Sequence, residues 1–142
     1  MGEGRWRAVR IGEIPTLGAA ANPSFWQEWA RDPDFGRGWH SIREFLEIAG
    51  FGVNASEAPA GKELIVPHSE VEFGGQEELY IVLRGSVRFV CDGEEVELGP
   101  GELLYAGPEV TREARALETP TVVVAIGGTP GKAYEVPRWD EG

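Results

Sequence analysis

Cysteine is nearly absent from the chain. Cys91 is the only one among 142 residues, so no intrachain disulfide can staple the fold, and a reducing cytoplasmic setting is the default expectation. Cys91 sits in the strand-like run "SVRFVCDG" with no base placed beside it, which reads as a packed thiol rather than a nucleophile. Long apolar runs are also missing. No stretch approaches the roughly 20 residues of a membrane-spanning helix, and the N-terminal "MGEGRWRAVRIGEIPTL" lacks the apolar core of a secretory leader. Basic residues are scarce, with 13 Lys and Arg against 24 Asp and Glu, for a net charge of −11. Most of the excess acid lies after residue 50. Such a surface repels phosphate backbones, which argues against a nucleic-acid partner and favours solubility. Low-complexity tracts and internal repeats are absent too.

The chain is rich in turn residues, with 20 glycines and 10 prolines. They are spread between short apolar runs, which favours many turns over a disordered tract. At 142 residues, 42% apolar and 26% charged, the composition fits one soluble domain with a core of its own.

Three regions follow along the chain. In residues 1–49, "RAVRIGEI" is a short strand candidate. Asn22 or Ser24 can cap a helix carrying Phe25, Trp26 and Trp29, which Asp32-Pro33-Asp34 then breaks. Trp39 to Ile48 forms a second short helix or turn with Ile42, Phe45 and Leu46 inward, ended by Gly50. Residues 50–136 change texture. "FGVNAS", "KELIVPH", "ELYIVLRG", "SVRFVCDG", "EEVELGPG", "ELLYAG", "VTREARAL" and "TPTVVVAIGG" are β-rich runs punctuated by Gly, Pro or Asp. Closely spaced strands of this kind indicate an all-β sandwich or barrel, and Asp92-Gly93 is a hairpin signal. Residues 137–142 are a polar tail.

Residues 50–127 resemble the cupin superfamily, of the small single-barrel type. Gly61, His68, Glu78 and Gly85 follow that family's first motif, with "EELYIVLRG" as the strongest match. The turn Pro100-Gly101 and the run Leu103–Tyr105 follow its second. The resemblance implies a double-stranded β-helix, or jelly roll, with the N-terminal residues as a helical extension packed on it. It also implies pairing into homodimers and a pocket for a small polar molecule. The segment "WHSIR…FGVNA" further resembles a group of uncharacterised small bacterial cupins. The chain departs from the family at the ligands. Glu70 stands where the family's second histidine belongs, and Arg112 where the histidine of its second motif belongs.

The residues at these places define a candidate pocket of His68, Glu70, Glu78, Tyr80 and Arg112. His68 and Glu70, two apart, share a face of an extended strand, as do Glu78, Tyr80 and Val82. A slip of one residue around the insert "EVEFGG" exchanges Glu70 for Glu72. Val122, Val124 and Ile126 are expected to line one wall. Two functions stay open. In one, His68, Glu70 and Glu78 hold a divalent ion (Mn, Fe, Ni or Zn) with open positions for substrate, as in dioxygenase- or isomerase-type enzymes. In the other, Arg112 is the positive centre, no metal is held, and the barrel is a ligand-binding or sensor module. His40, beside Trp39, reads as a packing residue with a possible role at the barrel mouth. "GGTPGK", Gly127 to Lys132, lacks the spacing and following helix of a phosphate loop and reads as a turn.

Overall fold

The structure is a computed structural model and describes residues 5–16 and 38–136. Among them, nine strands pack as two antiparallel sheets. In chain order they are β1 (Trp39–His40), β2 (Gly52–Ala58), β3 (Glu63–His68), β4 (Glu77–Arg84), β5 (Val87–Cys91), β6 (Glu94–Leu98), β7 (Leu103–Ala106), β8 (Arg112–Ala116) and β9 (Thr121–Gly128). One sheet has the order β1-β2-β9-β4-β7 and the other β3-β8-β5-β6. Each of the eight β-rich runs from Phe51 onward thus becomes one strand. This is an all-β jelly roll.

Local chemistry explains the connections. Asp92 and Gly93 both adopt positive φ, 49° and 84°, which makes the tight two-residue turn whose twist suits a hairpin. Gly85 is needed twice over. Its φ is +73°, and a Cβ there would overlap the Thr121 hydroxyl and lie 2.7 Å from the Pro120 carbonyl oxygen. Only glycine lets β4 pass so close to the start of β9.

The core lies between the sheets. Tyr80 and Val82 of β4, Val87 and Phe89 of β5, Ala114 and Ala116 of β8 and Val123 of β9 are all buried there, and the Tyr80 and Phe89 rings pack at 5.4 Å. The inward residues of β9 are therefore Val123 and Ala125, which stand opposite Val82 and Tyr80. Val122, Val124 and Ile126 occupy the other face, contrary to expectation. A run of continuous apolar residues carries no alternation, so its parity cannot be read from the sequence.

The N-terminal region also differs from its sequence reading. Ile11–Glu13 is a 3-10 turn rather than a strand. Trp39–His40 is a strand paired with β2, and the helix α1 spans only Ile42–Leu46. Phe45 is exposed rather than inward. The expected helix around Phe25, Trp26 and Trp29, and the tail 137–142, lie outside the described residues. No helix among the described residues is long and apolar enough to cross a membrane.

Candidate functional site

Strand register explains how the polar residues meet. His68 on β3 stands directly opposite Arg112 on β8, which in turn stands opposite Cys91 on β5. Cross-strand partners share a face, so all three point between the sheets. From the other sheet, Glu78 stands opposite both Gly127 and Ala106, and Tyr80 follows two residues on. Two small neighbours leave the Glu78 side chain room to cross toward β8.

Glu70 arrives by a different route from the one expected. The strand ends at His68, and Glu70 begins a 3-10 turn over Val71–Phe73. Its N–H donates to the Pro108 carbonyl at 2.9 Å, and its carbonyl accepts from Phe73 and Gly75. That pinned backbone carries the side chain inward, leaving Glu70 2% exposed and Glu72 in solvent. The one-residue exchange does not occur.

The side chains then converge. His68 Nε2 lies 2.9 Å from Glu70 Oε2 and 3.9 Å from Glu78 Oε1. Arg112 NH1 lies 3.7 Å from each of these two oxygens. The Tyr80 hydroxyl donates to Glu78 Oε1 at 2.6 Å. Two tethers fix the orientation. The Val66 carbonyl can only accept, so His68 donates Nδ1–H to it at 2.7 Å, and Nε2 becomes the pole facing the carboxylates. Arg112 NH2 donates to the Gly107 carbonyl at 2.7 Å, and the guanidinium is fully buried.

Protonation follows the geometry. Burial opposes charge on His68. The hydrogen bond to Glu70, the Val66 carbonyl and the charges of Glu70 and Glu78 together outweigh it and raise its pKa. Burial, reinforced by the Glu70 charge, also raises Glu78. The Tyr80 hydroxyl, His68 and Arg112 hold it back only in part. Burial and the Glu78 charge push Tyr80 well above its usual range, so it remains a donor. With His68 protonated, two carboxylates face one guanidinium and one imidazolium, and the cluster is neutral.

The donor atoms of His68, Glu70 and Glu78 lie within 4.8 Å of one another, a type and spacing that fit a divalent ion. The charge does not fit as well. Arg112 contacts both carboxylates and is tethered away from solvent. A dication about 4 Å from it would meet roughly 8 kcal/mol of repulsion at an effective dielectric of ~20.

Buried polar atoms that lack a hydrogen bond include Arg112 Nε and Nη1, Glu70 Oε1 and Asn54 Oδ1. Asn54 was not singled out by the sequence. It stands in line with Ala125 and Tyr80 and is 4% exposed. Gln76 and Tyr134 were missed as well. A Cβ on Gly127 would lie 2.9 Å from Gln76 Oε1, and one on Gly52 3.0 Å from the Tyr134 hydroxyl. Glycines inside strands are the sequence signal for such close approach.

The remaining candidates lie elsewhere. His40 pairs with Ala55, on the outer face of the five-stranded sheet. It donates Nδ1–H to the Ile14 carbonyl at 2.8 Å, and its Nε2 lies 3.4 Å from Glu57. It packs the N-terminal segment onto β2 and does not reach the cluster. Burial raises the Cys91 thiol although Arg112 opposes it, so Cys91 is no poised nucleophile. Gly128 to Lys132 make a turn closed by the Lys132 N–H on the Thr129 carbonyl.

No protein-family profile and no curated protein matches the chain. Solved structures do. A cupin protein from Bacteroides fragilis superposes with a TM-score of 0.63 at 19% identity, over 98% of this chain and 97% of that one. A sugar phosphate isomerase from a cupin superfamily, of Silicibacter pomeroyi, gives 0.54 at 21%, over 66% and 62%. A cupin 2 domain-containing protein from Halorhodospira halophila gives 0.52 at 18%, over 68% and 63%. The chain shares the cupin fold with these structures.

Proposed function

We propose that this cupin binds a small polar molecule in a pocket whose positive centre is Arg112 rather than a divalent ion. The observation that carries the reading is the place of the guanidinium. It is fully buried, tethered to Gly107, and 3.7 Å from both carboxylates that an ion would need. Arg112, His68, Glu70, Glu78 and Tyr80 then form a charge-balanced set. The atoms of Arg112, Glu70 and Asn54 that lack a hydrogen bond offer both donors and acceptors to water or a ligand.

Elemental analysis of protein purified without chelator or metal-affinity resin tests this. Less than a tenth of an equivalent of metal is expected, and none is retained after dialysis against Mn²⁺, Fe²⁺, Ni²⁺ or Zn²⁺. Arg112→His returns the family's residue to its place and is expected to gain metal binding. Near-stoichiometric metal on the unaltered chain would overturn the proposal.

That outcome would favour a second reading, supported by the convergence of His68, Glu70 and Glu78 within 4.8 Å. These three would then hold an ion, with open positions on it for a substrate. The neighbour named as a sugar phosphate isomerase makes isomerisation of a phosphorylated sugar the first activity to assay in that case.

A further inference from the structure

The outer face of the five-stranded sheet carries a concavity. It has a volume of about 410 Å³ and lies where β4 begins and β7 and β9 end, beside Phe51 and the turn after β9. That size is typical of a site for a small ligand. It borders the polar cluster only through Glu78, which lines the cleft while its carboxylate joins the cluster. Glu77 and Leu79 face it, while Tyr80 and Val82 of the same strand face the core. Neither His68, Glu70 nor Arg112 lines it.

Its floor and walls differ in kind. Gly128 lies in the floor, and a Cβ built on it meets nothing within 4 Å. The absent side chain leaves a flat, open patch of backbone. The walls include Phe51, Tyr105 and Tyr134. Phe51 is 44% exposed and Tyr105 64% exposed, a large share for aromatic rings on a soluble protein. The polar groups have both signs. The Tyr105 hydroxyl donates to Glu77 Oε1 at 3.0 Å, which fixes the ring and still leaves carboxylate lone pairs. Lys132, exposed in the turn, brings an ammonium.

We infer that this cleft is a binding site for a neutral, hydroxyl-bearing ring such as a pyranose. A flat ring of C–H groups stacks on aromatic faces. Its hydroxyls donate to Glu77 and accept from Lys132, since each hydroxyl does both. Charge separates this class from its competitors. The one ammonium in the lining, Lys132, shares it with the Glu77 carboxylate, on a chain of net charge −11, which disfavours an anion. Lys132 disfavours a quaternary ammonium in what would otherwise be an aromatic cage.

The test uses the full chain, labelled with ¹⁵N. Methyl glucopyranoside, galactopyranoside and mannopyranoside are titrated, with glucuronate, choline and cyclohexanol as controls. At least one neutral pyranoside is expected to shift the Phe51, Gly128 and Thr129 amides saturably. It should bind at least tenfold tighter than each control. Gly128→Leu, whose Cβ meets no atom within 4 Å, carries an isobutyl group into the cleft and is expected to weaken binding at least tenfold while the melting temperature holds. If that variant does not fold, Gly50→Leu is read instead, because its Cβ also meets nothing within 4 Å. The inference is overturned if no pyranoside binds by 50 mM, if a control binds better, or if binding survives the filled cleft.

Discussion

Removing the guanidinium is the sharpest perturbation of the polar cluster. Arg112→Met keeps an unbranched side chain of similar length and deletes the charge. Glu70, 2% exposed, and Glu78 would then face each other with only His68 between them. Breaking a buried ion pair from one side costs about 3–5 kcal/mol. At about 3 °C per kcal/mol for a chain of this size, the melting temperature should fall by roughly 9–15 °C. Protonating a carboxylate relieves the unpaired charge, so the loss should shrink below about pH 5. The double variant Arg112→Met/Glu70→Leu should recover most of it, because replacing both partners by apolar groups is often neutral. The assay is thermal denaturation followed by circular dichroism at pH 5 and pH 7, in buffer with chelator. A single variant melting within 3 °C of the parent at pH 7 would refute the reasoning, as would a double variant no better than the single.

Two further outcomes are expected. His68 and Glu78 both have pKa values raised above their ordinary 6.5 and 4.5. A raised folded-state pKa stabilises below the ordinary value, and that stability is lost as pH rises through the folded one. Chelated protein should therefore lose stability as pH rises, from Glu78 above about 4.5 and from His68 above about 6.5. His68→Gln should flatten the upper limb, and an unchanged pH profile of melting would remove His68 from the cluster's charge balance. Gly85→Ala should cost about 2–5 kcal/mol through its positive φ and its overlap with Thr121. Denaturant titration reads this directly, and a loss below 1 kcal/mol would show that the β4–β9 crossing can yield.

The barrel was legible because its signals are local. Period-two patterning, Gly and Pro punctuation and the Asp92-Gly93 turn each act over a few residues, and β2 to β9 fall where those signals lie. The misreadings share a different cause. "RAVRIGEI" has a strand's composition, but backbone pairing with a distant strand decides whether it extends, and Ile11–Glu13 coils instead. In β9, a continuous apolar run hid which residues face the core. Trp39–His40 pairs because β2 offers it an edge, a fact held by neither residue.

The site was legible by residue type and not by geometry. Glu70 joins the cluster, yet not by strand alternation. It arrives through a pinned 3-10 turn that "EVEFGG" permits with Gly74 and Gly75 at positive φ. The substitution at position 112 has a consequence that no motif states. A neutral histidine opposite His68 would leave two carboxylates needing an external positive charge. An arginine at the same register position supplies that charge covalently, and the Gly107 carbonyl holds it in place. Glu70 and Arg112 therefore read best as a matched pair of departures. Glu70 brings a second buried carboxylate and Arg112 the fixed cation that neutralises it, so that with His68 protonated the cluster can stay buried without borrowing a metal ion from solution.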